Sequence, residues 1–315
     1  MERVMSLLTL QGQLALLLGI GMLLCRIGMV DERGKKLLTD LVINLVLPCN
    51  IIQSFRMAFS WEIMRSTFSI LVVSAILQLG CMSLAAFGFR RYPFQKRVVM
   101  QYGVICSNAG FLGNPVAEGI FGSEGLLLAS IYLIPQRIVM WSMGIGYFSD
   151  SSGITGPEEK HRHRREVLRK TLTHPCIVAA VIGMVLLVTQ WQLPAFLGNT
   201  VKSISNCNTA LSMMLIGVIM QESGFHQVLN RDVIVYCLIR LLIIPGLVML
   251  GCRLCGVDGF VTGVSVVLAA MPMGGTTAIL AAKYGCDANF AAKCIAVSTA
   301  LSLPTTPLWC LVLSV

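Results

Sequence analysis

The sequence predicts an all-α polytopic membrane protein, with ten transmembrane helices arranged as two inverted five-helix repeats. Three observations carry the prediction. The first is composition: of 315 residues, 56% are hydrophobic and only 12% charged, with a mean hydropathy of +0.78. A soluble globular domain carries about 25% charged residues, so disorder, nucleic-acid binding and a disulfide-stapled secreted scaffold all fit poorly. The second is length, because the apolar residues gather into stretches of about 20, enough to cross a bilayer as a helix. The third is the placement of the basic residues, which fall in alternate connections.

In chain order, span 6–25 ends at Asp31-Glu32-Arg33-Gly34-Lys35-Lys36, and span 36–56 holds Leu47-Pro48 and stops at Arg56. Span 63–89 runs to Arg90-Arg91-Tyr92-Pro93. Spans 97–121 and 124–148 are divided by Gly122-Ser123-Glu124-Gly125. After the polar stretch 149–173 come 174–191 and 194–221, separated by Gln192-Leu193-Pro194. Asn230-Arg231-Asp232 precedes span 232–252, Gly256-Val257-Asp258 precedes 259–283, and Gly285-Cys286-Asp287 precedes 289–314. Apart from Gln192-Leu193-Pro194, which breaks the chain by proline alone, the breaks bring in charge, mostly beside turn formers, which a helix in hydrocarbon does not tolerate.

Of the 24 Lys and Arg residues, 17 lie in or beside the connections after spans one, three, five, seven and nine. Five lie on the other side, and Arg137 and Arg240 fall inside spans. The positive-inside rule puts the odd connections in the cytoplasm and both termini outside the cell inner (plasma) membrane. The run His161-Arg162-His163-Arg164-Arg165 reads as part of a solvated basic linker that enforces topology, rather than a metal, lipid or nucleic-acid patch.

That linker, 149–173, divides the chain into 1–148 and 174–315. Five spans is an odd number, so the two halves cross the membrane in opposite directions, as in an inverted-topology repeat. The fourth span carries Ser107-Asn108-Ala109-Gly110-Phe111-Leu112-Gly113-Asn114-Pro115 and ends at Gly122. The ninth carries Ala270-Met271-Pro272-Met273-Gly274-Gly275-Thr276-Thr277 and ends at Gly285. Aligning the terminal glycines superposes two helix-breaking segments. Proline removes a backbone donor and glycine weakens a helix by about 1 kcal/mol. Unwound backbone at bilayer depth survives only where it is buried in protein or lines a cavity. Matched breaks in corresponding helices therefore point to a transporter's binding site.

The stretch from Leu41 to Phe55, the segment Asn108 to Pro115, and Met271-Pro272 through Gly285, followed by Ser298-Thr299 and Pro307-Leu308-Trp309, resemble the auxin efflux carrier family. The resemblance covers nearly the whole chain in the right order. It implies crossed fourth and ninth helices, an architecture like that of sodium/proton antiporters and bile-acid transporters, and a homodimer. It also implies a small carboxylate substrate, since the family includes plant auxin carriers and bacterial malonate or malate carriers. The chain departs from the family at Thr276, at Asn206-Cys207-Asn208 in the seventh span, and at Gln136-Arg137 in the fifth.

The expected substrate site consists of Asn108, Gly110, Gly113, Asn114, Pro115, Gln136, Arg137, Pro272, Gly274, Gly275, Thr276 and Thr277. Half-helix N-termini offer free N–H donors and partial positive charge to a carboxylate. Pro115 at a helix start and Thr276 or Thr277 as a cap fit this geometry. Arg137 lies too deep to reach the membrane surface, so it meets either a substrate carboxylate or Glu118. Glu118 is the ion-coupling candidate, for H⁺ or Na⁺. Cys252-Arg253-Leu254-Cys255 lacks further ligands for a metal, and no catalytic motif appears. The expected function is secondary active transport of a small organic anion, without catalytic residues or a resident cofactor. The partners are the anion and the lipid bilayer, not nucleic acid. The alternatives are an H⁺- or Na⁺-coupled carrier of another solute, and a channel or receptor.

Overall fold

The computed structural model describes residues 2–140, 147–148, 173, 175–222 and 230–313. The linker 149–173, apart from residue 173, and most of 141–148 therefore lie outside the described residues. Every regular element among the described residues is a helix. They are α1 (Glu2–Arg26), α2 (Glu32–Ser54), α3 (Trp61–Gly88), α4 (Phe94–Ile105), α5 (Ala109–Val139) and α6 (Pro175–Thr189). Then follow α7 (Ala195–Asn206), α8 (Asn208–Glu222), α9 (Arg231–Leu254), α10 (Gly259–Ala269), α11 (Thr276–Lys283) and α12 (Ala288–Leu313). Six helical stretches, with α7 and α8 counted as one, are long and apolar enough to cross a membrane, and Gly12–Arg26, α6 and α10 are shorter apolar helices. Large apolar side chains such as Leu16, Trp61, Phe68 and Phe196 stand exposed on the outside, as befits a protein whose solvent is lipid.

The polar breaks that delimit the spans act as caps. Asp31, Ser60, Asn230, Asp258 and Asp287 each accept a hydrogen bond from a backbone N–H at the start of the following helix, at 2.7–3.1 Å. Where α4 and α9 begin, Lys96 donates to Asp232 at 2.7 Å, and that bond holds its ammonium above the ordinary lysine pKa.

Three π-turns, Val42–Val46, Ala109–Gly113 and Ile239–Ile243, interrupt α2, α5 and α9. Each ends two residues before a proline, leading into Leu47-Pro48, Asn114-Pro115 and Ile244-Pro245. In each, the residue before the proline donates to the carbonyl five back rather than four. Proline clashes with the carbonyl four residues earlier, and one extra residue in the turn moves that carbonyl aside. The chain thus keeps nearly continuous helix through Pro48, Pro115 and Pro245.

Two boundaries differ from the sequence reading. The fourth span is expected to resume at Asn114-Pro115; instead helix resumes at Ala109, which makes Asn114 an interior residue and not a cap. The second half of that span and the fifth span are assigned as one 31-residue stretch, Ala109–Val139. A straight helix of that length would reach about 46 Å, well beyond a hydrocarbon core of about 30 Å. Gly122, at φ 69° and ψ −159°, is where it turns, in a conformation reserved for glycine.

The tightest helix pair is α1 with α8, where a Cβ on Gly21 would overlap the Met214 carbonyl and one on Gly217 the Leu18 carbonyl. Facing glycines let backbones touch, the usual way helices associate in lipid. α2 packs on α6 and α7, α3 on α4 and α5, and α5 on α10. One buried cluster joins α1, α2, α5, α6 and α8, including Leu14, Ile51, Tyr132, Cys176 and Met213. A second joins α4, α9, α11 and α12, including Tyr102, Tyr236, Leu280 and Cys294. α10 feeds both, with Val264 in the first and Val266 in the second.

Candidate substrate site at the paired helix breaks

α4 stops at Ile105 and α10 at Ala269, and the unwound residues that follow them meet. Ser107 and Met273 form an antiparallel bridge. The Asn108 N–H donates to the Pro272 carbonyl at 2.8 Å, and the Gly274 N–H donates to the Cys106 carbonyl at 3.0 Å. Backbone freed from helix inside a membrane has no water to turn to; here each break supplies the other. Side chains complete the accounting. Gln136 Nε2 donates to the Ser107 carbonyl while its Oε1 accepts from Ser107 Oγ, both at 2.9 Å. Ser298 Oγ accepts from the Met273 N–H at 3.2 Å.

α9 closes the other side. Arg240, 3% exposed, donates Nε to the Met271 carbonyl at 2.9 Å and Nη1 to the Val104 carbonyl at 3.0 Å. Tyr236 donates its hydroxyl to the Gly103 carbonyl at 2.8 Å. A guanidinium thus sits where α4 and α10 both end, on the partial negative charge of two helix C-termini at once. This role absorbs Arg240 as a structural residue and takes it out of contention for a ligand.

The expected site residues divide into two sets. Asn108, Pro272 and Gly274 hold the paired breaks together, Gln136 ties Ser107 of the first break to α5, and Thr276 Oγ1 lies 3.2 Å from Cys106 Sγ across them. A Cβ on Gly274 would press on the Cys106 carbonyl and sulfur at 3.1 and 3.0 Å, and one on Gly113 would meet Leu268 at 2.9 Å, so both glycines serve close packing. Pro115 is buried directly after the π-turn, and Gly275 borders Ile219 of α8. The second set has no such employment. Asn114 is fully buried with neither side-chain atom hydrogen-bonded, and the Thr277 hydroxyl is in the same condition. Arg137 is 7% exposed, its Nη1 has no acceptor, and its Nη2 lies 3.9 Å from where a Gly110 Cβ would be. Among the described residues no carboxylate pairs with it.

The chain matches the membrane transport protein family model over residues 11–310. It belongs to that family, which is the auxin efflux carrier family. An uncharacterized transporter of Methanothermobacter thermautotrophicus is 28% identical over 304 residues, covering 93% of this chain and 94% of the relative. The uncharacterized transporter YfdV of Escherichia coli strain K12 is 24% identical, covering 89% of this chain and 88% of the relative. A further uncharacterized transporter, from Methanocaldococcus jannaschii, is 22% identical over 293 residues. The family is one of membrane transporters and not of enzymes, and its member here is a multi-pass membrane protein.

In this family member Glu118 stands apart from the breaks. It does not meet Arg137; Asn50 Nδ2 donates to its Oε2 at 3.4 Å, and Asn50 belongs to a chain of polar residues on α2, α7 and α8. Sequence reading passes over Ser107, Asn50 and Ser205, and over Thr299, whose hydroxyl is buried without a partner. Single Ser, Thr and Asn residues inside spans are common enough to carry no signal until their neighbours are known.

Proposed function

We propose that this chain is a secondary active transporter of a small organic anion, a carboxylate or auxin-like weak acid, held at the paired breaks during alternating access. In this reading the repeats 1–148 and 174–315 form ten spans, with the fourth and ninth crossing where the breaks meet. The linker 149–173 is cytoplasmic, both termini are outside the cell membrane, and two copies of the chain form a homodimer. The observation that carries the reading is Arg137: a buried guanidinium with an unused donor and no counterion among the described residues. A buried charge left unpaired is costly, so a site of this kind calls for an anion to complete it.

The remaining parts support the same chemistry. Asn114 and Thr277 offer unused side-chain hydrogen-bonding atoms, and α11 begins at Thr276, so the positive end of its dipole lies beside Thr277. A carboxylate would take its charge partner from Arg137 and its orientation from these neutral groups, while Arg240 and Gln136 hold the cradle rigid. Purified protein in proteoliposomes, loaded with a panel of small carboxylates, tests the proposal. Saturable uptake with counterflow by at least one carboxylate, abolished in Arg137→Gln, is expected. Flux that rises linearly with concentration and without counterflow means a pore instead.

A further inference from the structure

Asn50 anchors a hydrogen-bond chain with one direction. Ser212 Oγ donates to Asn208 Oδ1 at 3.1 Å, and Asn208 Nδ2 donates to Asn50 Oδ1 at 3.2 Å. Asn50 Nδ2 then donates to Ser205 Oγ at 3.0 Å and to Glu118 Oε2 at 3.4 Å. All four neutral members are at most 5% exposed, whereas Glu118 is half-buried. Every N–H and O–H on the path from Ser212 points toward the carboxylate, so each bond polarises the next. The chain joins α5, which carries Glu118, to α2, α7 and α8. It passes through the interruption at Cys207 between α7 and α8.

Glu118 is the single charge in this network. Around it, Arg56, two residues past the end of α2, is engaged with Gln53 and the Gly198 carbonyl, Lys202 of α7 is exposed, and Glu222 ends α8. Glu62 of α3 and Asp258 at the start of α10 lie toward Glu124, six residues further along α5, and α6 has no charged residue. Arg65 near the start of α3 and Arg137 on α5 itself make no ion pair with Glu118. A metal cation would need several oxygen ligands, but Asn50 turns its N–H toward the carboxylate, and no group of three His, Cys, Asp or Glu side chains gathers among the described residues. A proton needs only one carboxyl oxygen. Ionised Glu118 accepts a charge-assisted bond from Asn50, a long one at 3.4 Å. Protonation removes that assistance and the polarisation behind it. Glu118 also lies one helical turn from Asn114, so its charge is felt at the unpartnered groups of the breaks.

We propose that Glu118 is a proton-binding site, and that the Asn50–Asn208–Ser212 chain ties α5 to α2 and α8 while the carboxyl is ionised and releases it on protonation. That the proton drives transport rests on the function proposed above; the site and the tie do not. Infrared difference spectra and amide hydrogen exchange of the full chain in nanodiscs, between alkaline and mildly acidic buffer, test it. On acidification the wild type is expected to gain a protonated-carboxyl band that Glu118→Gln lacks. Exchange corrected for intrinsic rate should rise several-fold in residues 42–54 and 208–221 of the wild type. In Glu118→Gln it should be already fast and insensitive to pH. Should that variant fail to accumulate, Asn208→Ala is expected to keep the band and lose the pH-dependent exchange in α8. An unchanged band in Glu118→Gln, or a band removed by sodium at constant pH, overturns the proposal. If these signals appear while no carboxylate gives counterflow, the proton site stands and the transport reading fails. Carboxylate counterflow with unaltered spectra in Glu118→Gln leaves transport standing and removes the site.

Discussion

Arg137 and Arg240 look alike in the sequence, each a lone arginine in an apolar span, but the fold gives Arg240 two carbonyl partners and leaves Arg137 Nη1 with none among the described residues. Arg240 spends its donors on two helix ends, so Arg240→Gln is expected to lower stability by roughly 2–5 kcal/mol, read as a fall in thermal unfolding temperature in detergent. Arg137→Gln removes a buried charge that no described carboxylate pairs with, and unliganded stability should hold or rise. Affinity for a transported carboxylate should fall about ten- to a hundredfold, the worth of a charged hydrogen bond. Asn114→Ala should behave the same way, with intact stability and weakened binding, because among the described residues nothing bonds to the side chain it removes. If either variant unfolds early while binding normally, it is structural and the site lies elsewhere. Which arginine pairs with what is a tertiary fact; periodicity reveals that both are buried but not which carbonyls come within 3 Å.

At the level of helices, the sequence was most legible where the chain changes direction. Asp31, Ser60, Asn230, Asp258 and Asp287 read as breaks and act as caps, since a residue that cannot stay in lipid is also one that satisfies a helix start. The interior of the broken helices was less legible. Asn114-Pro115 reads as a helix start, and the π-turn that lets helix pass through it has no sequence signature beyond the proline itself. Gly122 is expected to be irreplaceable in its conformation: Gly122→Ala should cost about 1–3 kcal/mol, from its positive φ alone, with open space around it. Gly217→Val should be worse, because its Cβ runs into the Leu18 backbone, which cannot step aside as a flexible side chain can. Thermal melts of both variants, with Gly251→Ala as a control that has nothing within 4 Å, rank the three.

For the molecule as a whole, the basic residues make a prediction that the helix packing does not address. Single cysteines at Gly34 should react with a membrane-impermeant maleimide only from the cytoplasmic side, and those at Ser60 and Ser123 only from outside. Reversed labelling at two of these positions defeats the inverted arrangement. The paired breaks have a mechanical corollary. Two backbone bonds and an arginine stitch residues 104–108 to 271–274, while Gln136 fastens the first segment to α5 and Ser298 fastens the second to α12. A joint fastened from every side has no hinge in it. Whatever swings to carry cargo across must swing around this knot and not through it. A disulfide between cysteines replacing Ser107 and Met273, in a background free of other cysteines, should therefore leave turnover intact, welding together two pieces that never part.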